Sequence, residues 1–169
     1  MDLKTIGTFN LGALVAGVVA LIFSFIPSFY RVSVDAAAGF SGSEGVSAWK
    51  EWGVLGMLLV ILAVAVVALK AFKVAGVPAG LPLTLVAVVA AALGLLFLVI
   101  CALTVGPEVP AFVDDSSVSM GIGWSGYIVL LATLALVVFT ALSFKDSGEK
   151  VSDFNRGGHN PPPAGPPAP

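Results

Sequence analysis

The chain alternates between long apolar stretches and short clusters of charge. Asp, Glu, Lys and Arg are all absent from Thr5 to Tyr30, from Trp52 to Leu69, from Val74 to Pro107 and from Ser116 to Phe144. About 20 mostly apolar residues in a helix cross roughly 30 Å of hydrocarbon. Each gap can supply such a helix, which predicts spans near 8–29, 52–72, 82–105 and 123–144. The second gap is the tightest, because Trp52 to Leu69 reaches only about 27 Å at roughly 1.5 Å per residue. Lys70 extends it by snorkelling to the headgroups. Runs such as Val54 to Leu69 are too long for buried strands and lack the alternation of a membrane β-barrel. The pattern therefore predicts an all-α fold, a four-transmembrane-helix bundle with antiparallel up-down connections.

Breakers fall where this reading needs turns. Pro78, Gly80 and Pro82 separate the second and third spans, and Gly106, Pro107 and Pro110 follow the third. Pro27 falls in the last turns of the first span, where it kinks or ends the helix, with Ser24 and Ser28 near enough to satisfy freed carbonyls. Residues 1–144 thus form the membrane domain. Residues 145–169 form a tail with six prolines in its last nine positions, which is expected to be disordered and to sample polyproline II.

Charge orients the bundle. One side collects Lys4, Lys70, Lys73, Lys145, Lys150 and Arg156, while the other holds only Arg31 and Lys50. Six cations against two place both termini in the cytoplasm. Aromatic positions agree. Tyr30, Trp49, Trp52, Trp124 and Tyr127 all map to the outer side, as interface anchors do. Ala36-Ala37-Ala38 resembles a signal-peptide cleavage site, but the preceding apolar stretch is longer than a signal core of about 7–15 residues. An uncleaved anchor is expected.

Composition sharpens the functional picture mainly by exclusion. Apolar and aromatic residues make up 58% and charged residues 11%, the latter less than half of the roughly 25% usual in soluble domains. A net charge of −2 offers no basic footprint for nucleic acid. Cys101 is the single cysteine and His159 the single histidine, so neither a disulfide nor a cysteine-built metal site is available. Coupled transporters and proton relays place ionisable groups inside the membrane, and none lies centrally in a predicted span. The polar residues there are Asn10, Ser24, Thr84, Thr104, Thr133 and Thr140. No catalytic, cofactor-binding or metal-ligating set is predicted, so the expectation is not an enzyme.

What remains is contact chemistry. Gly12, Ala16 and Ala20 recur every four residues in the first span, and Ala87, Ala91 and Gly94 mark the third. Small residues at this spacing let helices approach closely in lipid, either within the bundle or in a homo-oligomer or a membrane-protein partner. Pro163 and Pro166 have PxxP spacing, so the tail is either a solubilising end or a ligand for a cytoplasmic partner. The segment Thr8 to Leu14, the stretch from Trp49 to Leu58, and Ser147-Gly148-Glu149-Lys150 running into the prolines together resemble the uncharacterised small four-helix (tetraspan) membrane proteins of actinobacteria. That resemblance implies a bacterial plasma membrane and carries no activity with it. The expected role is a scaffold or accessory subunit. A passive channel for an uncharged molecule and an envelope sensor using the first outer loop are the alternatives.

Overall fold

A computed structural model describes residues 7–35, 41–73, 82–104 and 118–148. The chain is mostly helical, with α1 at Thr8–Ser24, α2 at Trp52–Ala71, α3 at Leu83–Thr104 and α4 at Trp124–Ser147. The last three are long and apolar enough to cross a membrane; α1, at 17 residues, is shorter. The expected first span of 8–29 is therefore cut at Ser24. Pro27 stands two residues past the C-cap Phe25, where a residue without an N–H cannot continue a helix. The chain leaves the helix at Phe25, whose N–H still reaches the Phe23 carbonyl, and Ser28 N–H then closes a tight turn onto the Ile26 carbonyl at 2.7 Å.

Beyond that turn lies structure that the hydropathy pattern did not predict. Residues Tyr30–Asp35 (β1), Ser41–Val46 (β2) and Val118–Ile122 (β3) form an antiparallel sheet in the order β2-β1-β3. Tyr30 pairs with Val46 on one side and Ile122 on the other. Phe29 continues both ladders, donating its N–H to Val46 and accepting from Gly123 N–H, each at 2.9 Å. Val32, Val46 and Ile122 pack against the buried cluster, so the sheet caps one end of the helices.

The helix interior is built from small side chains. Ala13, Ala20, Ala63 and Ala91 are fully buried. A Cβ at Gly56 would lie 2.9 Å from Leu98 Cγ and 3.1 Å from the Gly94 carbonyl oxygen. One at Gly94 would lie 3.1 Å from the Gly56 carbonyl oxygen. Glycine at both places lets the α2 and α3 backbones touch. Around them Met57, Val60, Leu98, Val129 and Leu136 close the core, while Val15, Val18, Ile22, Leu58, Leu96 and Leu131 face outward. Exposed apolar residues on every helix are what a lipid solvent requires. The molecule is an α-helical membrane protein bearing a small strand cap.

Contacts fix which ends meet. Gly53, at the start of α2, lies against Cys101 near the end of α3. At the other end, Lys70 of α2 meets Thr84 of α3, and Asn10 of α1 meets Ser143 of α4.

Candidate functional site

Two places concentrate polar and aromatic side chains, one at each end of the bundle. At the capped end, Ser24 closes α1 by donating to the Leu21 carbonyl at 2.7 Å. It also accepts the indole N–H of Trp49 at 3.1 Å. Trp49 stacks on Phe25 with centroids 5.2 Å apart, and Trp52 stacks on Phe97 at 6.1 Å. Phe23 meets Trp124 edge to face at 5.9 Å. Three aromatic pairs thus ring this end. Between the two stacks, Glu51 takes φ 45° as the chain turns into α2, a conformation that favours glycine. Its carboxylate precedes the positive end of the α2 dipole, which is the favourable sign.

The aromatic positions named from sequence do not form one cluster. Trp52, Trp124 and Tyr127 are about half exposed, Trp49 is partly covered, and Tyr30 is buried under the cap. The small-residue positions lie at helix contacts. Ala16, Ala20, Ala87, Ala91 and Gly94 are buried, and Gly12 lies under the Phe139 ring, 2.9 Å from where its Cβ would be. Gly17 does the same against Val64. Lys145, Asp146 and Ser147, assigned from sequence to the tail, continue α4, while Pro163, Pro166 and the rest of 149–169 lie outside the described residues. So do Ala36 to Ala38, the Pro78–Gly80 turn and the acidic positions Glu108, Asp114 and Asp115.

At the opposite end, Asn10, Lys70, Thr84, Thr140 and Ser143 surround a cavity of about 10 Å³, closed by Val66, Val67, Leu83 and Ala87. Ser143 Oγ donates to Asn10 Oδ1 at 2.8 Å. Thr140 is fully buried and donates to the Leu136 carbonyl. Lys70 Nζ donates to Thr84 Oγ1. This differs from a lysine extended straight to the headgroups, because the ammonium leans across to α3. Sequence reading picked out Asn10, Thr84 and Thr140 singly but missed Ser143 and the inward turn of Lys70. A signal existed, since polar residues near the starts of the first and third spans and the ends of the second and fourth must meet in an up-down bundle.

The remaining polar positions serve their own helices. Thr133 donates to the Val129 carbonyl at 2.8 Å and Thr104 to Ile100 at 2.7 Å, the usual retreat of a hydroxyl inside an apolar helix. Among the described residues no group of three or more His, Cys, Asp or Glu gathers in metal-binding geometry. Neither a protein-family model, nor a curated protein, nor a solved structure matches the chain.

Proposed function

We propose that the chain is a four-pass protein of the bacterial plasma membrane, an antiparallel up-down bundle with both termini cytoplasmic, acting as a non-enzymatic scaffold or accessory subunit. The observation that carries the reading is the closed interior. Alanine and glycine bring the helices into backbone contact, and Thr133 turns its hydroxyl into α4 instead of toward a path. The cavity at the uncapped end holds at most about one water. Among the described residues the interior is packed, and the strand cap and the lipid face, with the tail beyond them, are the surfaces this reading assigns to function. This weighs against the channel alternative.

The charge balance supports the orientation. The uncapped end carries Lys70, Lys73 and Lys145 against Asp146, and the capped end Arg31 and Lys50 against Asp35, Glu44 and Glu51, among the described residues. The first is the cytoplasmic sign. At 17 residues α1 spans about 25 Å, so the Phe25–Ser28 turn completes its crossing, with Phe25 exposed at the interface.

The test is crosslinking and affinity capture from native membranes, with the full chain and with a chain ending at Gly148. That boundary leaves α4 whole, since α4 runs to Ser147. A partner held by the full chain and released by the shortened one supports the reading. Monomers with nothing bound would overturn it. A second reading, an envelope sensor, is favoured by the pairing of β1 with β2 in the first outer loop. There, charge reversal at exposed Glu44 should blunt the response without affecting insertion.

A further inference from the structure

We propose that the outer edge of β3 docks β3 of a second copy of this chain, the two strands pairing antiparallel about Met120. The sheet ends in two edges, β2 and β3, and among the described residues no strand pairs beyond either. An open edge invites pairing with another chain, and proteins usually block it with charge, proline or a bulge. The two edges differ in that protection. β2 carries the exposed carboxylate of Glu44 near its middle, and its Gly42 and Gly45 weaken it as a strand. β3, Val118-Ser119-Met120-Gly121-Ile122, holds no charge and no proline. Its register with β1 runs residue for residue, without a bulge.

Self-pairing suits the unguarded strand. Turned about Met120, Val118 lies opposite Ile122 of the second copy, and Ser119 lies opposite its Gly121. Apolar residues meet apolar ones, small meet small, and no like charges face each other. Pairing β2 with itself about Glu44 would instead set two carboxylates directly opposite, a destabilising arrangement. Joining β2 to β3 of the next copy would repeat without closing, whereas β3 on β3 closes as a two-fold dimer. A two-fold axis perpendicular to the strands' plane keeps the outward face of the cap outward in both copies, as a shared bilayer requires. α4 starts at Trp124, two residues after β3. Its exposed Trp124, Tyr127, Leu131, Leu134 and Val138 recur every three or four residues, the spacing of a helix–helix seam. Apolar residues face outward on every helix, so that stripe selects no partner by itself. Following straight on from β3, it extends the contact that the strand begins. The pairing rests on the scaffold reading and gives it a defined contact.

The experiment uses the full chain in native membranes, in a Cys101→Ala background. Oxidation should link Met120→Cys into a dimer, because paired residues of an antiparallel sheet have Cα atoms about 4.5–5.5 Å apart, within disulfide reach. Gly42→Cys, at an open position on the guarded edge of the same cap, sets the level of chance collision and should link far less. A second measurement mixes copies carrying Ser119→Lys with copies carrying Gly121→Glu, each with its own affinity tag. Both positions are exposed, and open space surrounds Gly121. Opposite charges then stand directly across the pair, and the mixed dimer should gain up to about fivefold over either like dimer. Equal linking at positions 120 and 42, whether present or absent, would overturn the assignment, as would mixing without preference. A partner still captured through the tail in that case would strike the strand contact alone and leave the scaffold reading standing.

Discussion

Replacing Gly56 by alanine probes the closest approach in the bundle. The added Cβ would stand 2.9 Å from Leu98 Cγ, 3.1 Å from the Gly94 carbonyl oxygen and 3.1 Å from Leu98 N. The leucine tip can swing away, but the two α3 backbone atoms cannot. The helices must separate by a few tenths of an ångström, opening gaps along Val60 and Leu98. Overpacking of this kind costs about 1–3 kcal/mol. In water, alanine would recover up to about 1 kcal/mol of helix propensity. In lipid the separated helices stay helical, so little of that returns. Unfolding can be read from the single cysteine. Cys101 is buried between α2 and α3, so a maleimide dye reacts only when the pair opens. On the scale of a soluble chain of roughly this length, the midpoint should fall by about 3–9 °C. Gly94→Ala should behave alike, and the double variant should cost less than the sum, because one separation accommodates both methyls. Gly121→Ala, with open space around its Cβ position, is the control. If Gly56→Ala matched that control, the backbone contact between α2 and α3 would be refuted.

Trp49→Phe removes the indole donor to Ser24 while keeping a ring on Phe25, and should cost about 1 kcal/mol; Trp49→Ala should cost clearly more in the same melt. A double-mutant cycle of Asn10→Leu and Ser143→Ala should give a coupling of roughly 0.6 kcal/mol, as typical hydrogen bonds between membrane helices do. In a Cys101→Ala background, a cysteine at exposed Gly121 should react with an impermeant maleimide on intact cells, and one at Lys145 only after lysis. The reverse pattern would invert the orientation.

Much of the helical frame is legible in the chain itself. Charge-free gaps locate α2, α3 and α4 within a few residues, because lipid imposes one strong requirement on every position of a span. The predicted start at Trp52 and the start observed for α2 coincide. Hydropathy carries the first span on to residue 29, since Phe25, Ile26 and Phe29 are as apolar as any helix residue, and Pro27 was the one mark in the chain that the helix stops short of it. The sheet was missed for another reason. Tyr30-Arg31-Val32-Ser33-Val34 does alternate, and could have been read as a strand. Ser41-Gly42-Ser43-Glu44-Gly45 has no such pattern and becomes a strand only through β1. At the uncapped end, Asn10, Thr84 and Thr140 were visible as isolated polar residues, but their convergence with Lys70 and Ser143 depends on how four helices meet. That is a property of packing, which no single stretch encodes.

The pairing of β1 with β3 also sets an order of events. Tyr30 and Ile122 are partners 92 positions apart, so β1 emerges from the ribosome long before its second neighbour exists. At about 5–20 residues per second, the wait is roughly 5–20 s. Through that interval one edge of β1 stays open, and the cap can close only after α3 and the loop beyond it have been delivered. A chain stalled or cut before β3 therefore lacks the second partner of β1 and leaves one edge of that strand unpaired, a mark by which unfinished copies differ from finished ones.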